Sequence, residues 1–467
     1  MNIFRRLVTN NNKSYIHSNG SDYSYKSLIQ DADNFSSFTI NRPLVFVVAN
    51  NSYDCLTGYV GMLRANAVVA LINDSIHESM WNDLVINFKP TFIYQPKNLF
   101  QSKKDWKQKF KFGKYVLYET NIEIDYDING DLSLLLMTSG STGSPEFVRL
   151  SHSNIYSNTK SICDYLKISN KDVAITTLPM SYSFGISIIN THLFMGASLV
   201  LTDASLMEKK FWDLISRYKV TTFSGVPYTF EMLKKLKFEN IHLPTINYIT
   251  QAGGKLRNSL LEYFSKVSTH KNIDIIVMYG QTEASPRMSY LPSEMLQSKI
   301  GSIGIPIPGG KFYLVDNEHQ IVNEPNIEGE LIYEGKNVCM GYARDCYDLE
   351  KNDLNKGILK TGDLAKVDSD GYYYITGRKK RFLKIFGNRV SLDQIEQKIN
   401  EAGYDCACVG TDDYMKIYTT EKSYVQKIQD YIGKYFEINK SGFSIVYINT
   451  IPRNHSGKIL YSELVKN

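Results

Sequence analysis

Between about residue 44 and residue 280 the chain repeats one unit, a short apolar run followed by a longer amphipathic segment. Pro43-Leu-Val-Phe-Val-Val reads as a strand and Tyr53 to Arg64 as a helix. Ala67–Ile72, Val173–Leu178, Ser198–Thr202, Val220–Phe223, Ile246–Thr250 and Ile273–Met278 are further strand candidates. The segments between Val200 and Met278 have the length and pattern of crossover helices, so parallel sheets covered by helices on both faces are expected. From Lys311 to Thr376 the pattern shifts to short strands with turn signals, among them Asp368-Ser-Asp-Gly371, and a smaller antiparallel region is expected there. After Gly377 comes the basic run Arg378-Lys-Lys-Arg381, then a compact order of strand, helix, strand, helix and strand. The expected fold is α/β. Its large N-terminal domain (1–378) has parallel-sheet α/β subdomains and a small β-rich subdomain, and a small α+β C-terminal domain (380–467) follows a boundary at Lys379–Lys380.

A chain of 467 residues is too long for one compact core, which agrees with two or three domains. The net charge of +5, spread over 53 basic and 48 acidic residues, is too mild to point to any partner. The basic run at 378–381 is short and has no aromatic platform beside it, so nucleic-acid binding is not expected. Ile186 to Leu201, the longest apolar stretch, is broken by Asn190, Thr191, His192 and Gly196. It reads as a buried helix followed by a strand, not a membrane span. The six cysteines show no framework spacing and the start shows no secretory signal, so reduced thiols and a cytoplasmic location are expected. Asp125-Tyr-Asp127-Ile-Asn129-Gly130 imitates a calcium loop, but Leu136 stands where the bidentate Glu is required, and a turn entering a strand is the better reading.

The chemistry-bearing stretch is Thr138-Ser-Gly-Ser-Thr-Gly-Ser-Pro145, which follows directly on the apolar run Leu132–Met137. Small residues let backbone N–H groups turn toward an anion and hydroxyls add donors, as cradling a polyphosphate requires. No Lys-Ser/Thr pair follows, so it is not the common nucleotide loop, and by itself it could equally be a flexible turn. Further on stand Tyr279-Gly-Gln-Thr-Glu283, Gly329-Glu-Leu to Gly341-Tyr342, Lys360-Thr-Gly-Asp-Leu364, Gly377-Arg378 and Pro452-Arg-Asn-His-Ser-Gly-Lys458.

In that order and approximate spacing these motifs resemble the adenylate-forming superfamily: acyl-CoA synthetases, 4-coumarate ligase-like enzymes and peptide-synthetase adenylation domains. The resemblance covers nearly the whole length. It implies activation of a carboxylic acid by ATP as acyl-AMP, with transfer to CoA or to the phosphopantetheine thiol of a separate carrier protein. It places the β- and γ-phosphates on Thr138, Ser139, Gly140, Ser141, Thr142 and Gly143. Adenine lies by Gly253, Gly254 and Tyr279, the ribose hydroxyls by Asp363 and Arg378, and Gly280 and Thr282 also belong to the implied ATP site. Glu283 is the implied Mg²⁺ ligand, and Lys458 the lysine bridging the substrate carboxylate and the α-phosphate, so Lys458, Glu283 and Thr142 are the expected catalytic residues. Lys380 matches the family's hinge, about which the small domain would turn between the two half-reactions.

Two departures from the family stand out. The loop continues Pro145-Glu146-Phe147 where the family has Pro-Lys-Gly, and Arg149 is the candidate to restore the missing positive charge. The C-terminal region is shorter than usual between Leu392 and Lys458, which puts the acyl-transfer step in question. Pro179-Met-Ser-Tyr-Ser-Phe-Gly185 matches the start of the acid pocket and carries Tyr182 and Phe184 but no acidic residue, favouring an acid without a free α-ammonium. Ser224, Gly225, Val226 and Met278 are expected to complete that pocket. Two alternatives remain: an amino-acid-adenylating ligase that loads a carrier protein or acylates an amine such as an amino sugar, and a non-catalytic nucleotide or acyl-adenylate binder.

Overall fold

The computed structural model describes the chain apart from residues 1, 8–13, 39–40, 98, 101–105, 139–145, 380, 386–387, 436–439, 454–457 and 466–467, and the side chains of 388–389, 433–435 and 440.

The apolar runs become the buried strands of two large sheets. In the first, Leu44–Ala49, Val68–Asn73, Phe92–Pro96 and Leu132–Thr138 lie parallel, with antiparallel strands at both edges. In the second, Tyr15–Ser18, Ser198–Leu201, Val173–Ile175, Thr222–Gly225, Tyr248–Gln251 and Asp274–Gly280 form the parallel run. Leu44–Ala49 is buried at all its positions because helices cover both faces. Ser52 starts the helix Tyr53–Arg64 by accepting from the Cys55 N–H, and Gly196 ends the helix Ser183–Met195 with φ at 64°. All six cysteines are free and buried. Asp125, from the stretch that imitates a calcium loop, is held by the Lys89 ammonium at 2.7 Å.

The turn-rich region after Lys311 forms a five-stranded antiparallel sheet, with Asp368–Gly371 making the turn between Ile358–Val367 and Tyr373–Arg378. Next comes a hairpin of Phe382–Ile385 and Asn388–Ser391, one strand more than the sequence pattern suggests at this place. The helix Leu392–Glu401 and a three-stranded sheet of Cys406–Thr411, Tyr414–Thr419 and Phe443–Tyr447 complete a smaller C-terminal domain with its own apolar core. Tyr414–Thr419 is a strand that the sequence pattern does not show, because Tyr414, Lys416 and Thr419 interrupt its apolar residues. The small domain meets the large one through Lys379–Glu330 (2.7 Å), Arg257–Asp405 (3.3 Å) and Lys255–Gln397 (2.7 Å).

Candidate active site

The carboxyl ends of the second sheet's parallel strands face the five-stranded sheet, and the motif residues converge between them. In an antiparallel pair, directly opposed residues share a face. Register sets Asp363 opposite Arg378, and the Arg378 Nε–H donates to Asp363 Oδ1 at 3.2 Å. The other oxygen, Oδ2, accepts from the Tyr279 hydroxyl (2.5 Å) and from Gln281 Nε2 (3.0 Å). Burial, then the nearby Asp363 charge, pushes the Tyr279 hydroxyl far above its ordinary pKa, so it stays a donor. The chain then reverses at Gly280, where a Cβ would lie 1.9 Å from the Pro286 carbonyl oxygen and only glycine fits. Asp363 is 4% exposed, while the Arg378 side chain is largely open. A fixed carboxylate beside an accessible guanidinium can accept from and donate to a diol.

Glu283 lies in the short turn Thr282–Ala284, and its Oε1 accepts from the Tyr342 hydroxyl at 2.7 Å. Oε2 has no hydrogen-bond partner among the described residues. No group of three His, Cys, Asp or Glu side chains able to hold a metal occurs among the described residues. With its Oε2 free of hydrogen-bond partners among the described residues, Glu283 could contribute one ligand to a Mg²⁺ held mainly by phosphates, the usual way this ion is bound beside a nucleotide. The Thr282 hydroxyl lies 3.0 Å from that of Ser183, at the start of the helix Ser183–Met195.

Lys458 arrives from the small domain. Its Nζ is 6.0 Å from the centre of the Tyr182 ring. Part of the side chain reaches solvent, yet its pKa is lowered, first by burial of the ammonium and then by the Arg378 charge, with Glu283 and Asp363 opposing. Residues from four separate motifs thus act on one ammonium. The segment that carries Lys458 is anchored at its base. The Tyr461 ring lies under the Arg381 guanidinium (3.6 Å) and its hydroxyl donates to Glu396 (2.9 Å), which Arg381 also pairs with at 2.6 Å. Gly253 has φ at 86°, and a Cβ there would meet the Tyr182 hydroxyl at 2.7 Å. Gly254 is exposed and its carbonyl accepts from Gln251 Nε2 at 2.9 Å.

Ser139, Gly140, Ser141, Thr142, Gly143 and Lys380 lie outside the described residues. Thr138 ends the strand that leads into the loop and pairs with Glu146 on the returning strand. Arg149 does not take the charge role expected of it. It is fully buried and donates to the carbonyls of Lys351 (2.5 Å), Met340 (2.8 Å) and Asn352 (3.1 Å), so its guanidinium ties two loops of the protein together. Glu146 instead pairs with the exposed Arg344 at 3.4 Å. His152 is a structural residue: burial lowers its pKa to about 4, and its Nδ1 lies 3.0 Å from the Ser133 hydroxyl.

The residues expected around the acid separate into two levels. Tyr182 stands beside Lys458, whereas Phe184, Met278 and Ser224 lie deeper. The Ser224 hydroxyl meets that of Thr250 at 2.7 Å, and Gly225 ends the same strand. Phe184 and Met278 both touch Arg287, whose guanidinium lies 4.6 Å from the Phe184 ring and 2.9 Å from the Met278 sulfur.

Residues 4–343 match the family described as AMP-binding enzyme. The chain belongs to this family. It is 24% identical over 470 aligned positions to the oxalate–CoA ligase of Saccharomyces cerevisiae, covering 89% of this chain and 85% of that protein. With the long-chain-fatty-acid–CoA ligase of Salmonella typhimurium identity is 26% over 352 positions, taking in 72% of this chain and 61% of that protein. Its fold matches the o-succinylbenzoate CoA synthetase of Bacillus subtilis, solved with an acyl-adenylate intermediate. The TM-score is 0.79 at 19% identity, over 99% of this chain and 97% of that one.

Sequence reading missed Gln281, Tyr342 and Arg287. The first two lie inside quoted motifs, but their partners come from distant segments. Arg287 had one visible signal: it is the charged residue opening the run Arg287-Met-Ser-Tyr-Leu291, a strand buried at four of its five positions.

Proposed function

We propose that this chain activates a carboxylic acid with ATP, forming acyl-AMP and pyrophosphate, and then transfers the acyl group to a thiol, that of CoA or of a carrier protein's phosphopantetheine. The observation that carries this reading is the approach of Lys458 from the small domain to Glu283, Asp363 and Arg378 of the large one. In the first step a carboxylate oxygen bonds to the α-phosphorus while the bond from that phosphorus to the bridging oxygen breaks, and pyrophosphate leaves. Two anions must meet, so positive charge fixed at the reacting atoms lowers the barrier. Lys458 would hold the carboxylate against the α-phosphate, Asp363 and Arg378 would fix the ribose, and Gly253, Gly254, Tyr279 and Gly280 would flank the base. Mg²⁺, bound with the nucleotide phosphates, would offset their negative charge. Glu283 is placed to supply the one protein carboxylate it needs. The family resemblance puts the triphosphate on 138–143 and the turning point of the small domain at Lys380.

The second step has support of its own. The chain spans 97% of a fold-matched protein named as a CoA synthetase, so the brevity of the C-terminal region does not argue against thiol transfer. An isolated carboxylate at Glu146, where the family has a lysine, would favour a non-catalytic binder, but Glu146 is paired with Arg344 at 3.4 Å. The site lies in a chain with six free thiols, as in a cytoplasmic enzyme, and no helix of the described residues is long and apolar enough to cross a membrane. The test is ATP–pyrophosphate exchange across a panel of aliphatic, aromatic, hydroxy and amino acids. Acid-dependent exchange with at least one of them is expected. Tight ATP binding without exchange under any acid would instead favour the binder.

A further inference from the structure

One carboxylate lies between the large domain and the turn that carries Lys458. Asp405 directly precedes the buried strand Cys406–Thr411 of the small domain. Its Oδ1 accepts from Arg257 Nη2 of the large domain at 3.3 Å and lies 3.8 Å from Arg453 Nη2 of its own domain. Arg453 is part of the Lys458 turn. It pairs antiparallel with Ile459, the neighbour of Lys458, and the Leu460 N–H donates to the Pro452 carbonyl at 2.9 Å. Arg257, on the other side, follows closely on Gly253-Gly254, the pair proposed to flank the base.

Two guanidiniums brought together across a domain boundary repel unless a negative charge lies between them. Asp405 supplies that charge. Without it, docking of the Lys458 turn would set one cation against another.

The contact is also built to be released. Arg257 keeps a partner in its own domain, since Glu231 Oε1 lies 3.7 Å from its Nη2. Lys255 behaves alike: it donates to Gln397 of the small domain at 2.7 Å and to the Ile375 carbonyl of the large one at 3.2 Å. Undocking therefore strands neither cation, whereas breaking a buried pair leaves an uncompensated charge. The side chains of Asp405, Arg453 and Arg257 are 34%, 36% and 37% exposed, and ion pairs so open to water are individually weak. A weak contact shared between domains suits a lysine that must arrive for one step and leave for the next.

We infer that Asp405 is a positioning residue: by bridging Arg257 and Arg453 it holds the small domain where Lys458 meets Glu283, Asp363 and Arg378. It acts through Lys458 alone. This rests on acyl-adenylate formation as the function. The test is ATP–pyrophosphate exchange, with the acid of the panel that gives the highest rate, in Asp405→Asn, Arg257→Gln and the double variant. Asp405→Asn is expected to lower the maximal exchange rate by about 3- to 10-fold and to change the ATP KM by less than about twofold, as a smaller docked population would. Arg257→Gln should cost about as much alone and nothing further in the Asp405→Asn background. The gap between wild type and Asp405→Asn should also shrink to less than about twofold as ionic strength approaches about 1 M, where charges are screened within about 3 Å. A merely structural role would give losses that add to those of Arg257→Gln and do not respond to salt, which would overturn the inference. An unchanged exchange rate in Asp405→Asn would also overturn it, while leaving the function intact. No exchange by the wild-type enzyme with any acid would remove the function and this inference with it.

Discussion

The two ends of the site are built on opposite plans. At the proposed nucleotide end, the described carboxylates have protein partners: Asp363 holds Tyr279, Gln281 and Arg378, and Glu283 is bonded by Tyr342. Its last component, Lys458, comes from another domain. At the proposed acid end, the described residues come from one domain and are buried, and Arg287 and His192 keep polar atoms without partners among the described residues. A partnered network stays ordered while its ligand comes and goes, which suits a nucleotide common to every turnover. A buried polar group left without a partner is costly, and a ligand that satisfied it would discriminate between acids.

Substitutions at the two ends should therefore fail in different ways. Glu283→Gln keeps the shape but removes the charge a phosphate-bound metal needs, and a loss of about 100- to 1,000-fold in exchange rate is expected, followed by pyrophosphate exchange at saturating acid. Asp363→Ala frees Arg378 and Tyr279 and removes the diol acceptor. Its effect should lie in the ATP KM, raised by about 10- to 100-fold, with the acid KM nearly unchanged. A raised acid KM and an ordinary ATP KM would reverse the assignment of the two ends.

A pH profile tests the link between them. The Lys458 pKa is lowered, and a reaction that needs the ammonium should slow as pH rises through a midpoint below the ordinary 10.5. Lys458→Arg, which keeps its proton, should flatten that alkaline limb whatever its overall rate. The smallest catalytic effect is expected at Arg149. Arg149→Ala should cost about 3 kcal/mol of stability, read by denaturant unfolding, because three buried carbonyls lose a charged donor. The ATP KM of the folded protein should hardly change.

The contrast between the ends also explains what the sequence alone could tell. The nucleotide end is legible because its residues fall in contiguous motifs, such as Tyr279-Gly-Gln-Thr-Glu283, whose chemistry is the same for any acid. The parallel sheets were legible for a similar reason, since a strand buried on both faces writes a continuous apolar run, as Leu44–Ala49 does. The buried surroundings of Arg287, among them Tyr165, His192, Ser224 and Tyr248, are supplied one residue at a time by separate elements, and no local spacing links them. The Arg149 expectation failed because proximity in sequence does not say which face of a strand a side chain takes. Tyr414–Thr419 escaped notice because Lys416 and Thr419 break up its apolar residues, although the strand is buried at four of its six positions.

Acyl-adenylate formation driven by a lysine delivered from the small domain is tested most directly by ATP–pyrophosphate exchange in Lys458→Ala, with ATP affinity measured alongside. Loss of exchange by about 100- to 1,000-fold, with ATP binding changed by less than about threefold, is the predicted result for a charge that acts mainly on the transition state. Exchange at the wild-type rate would contradict it.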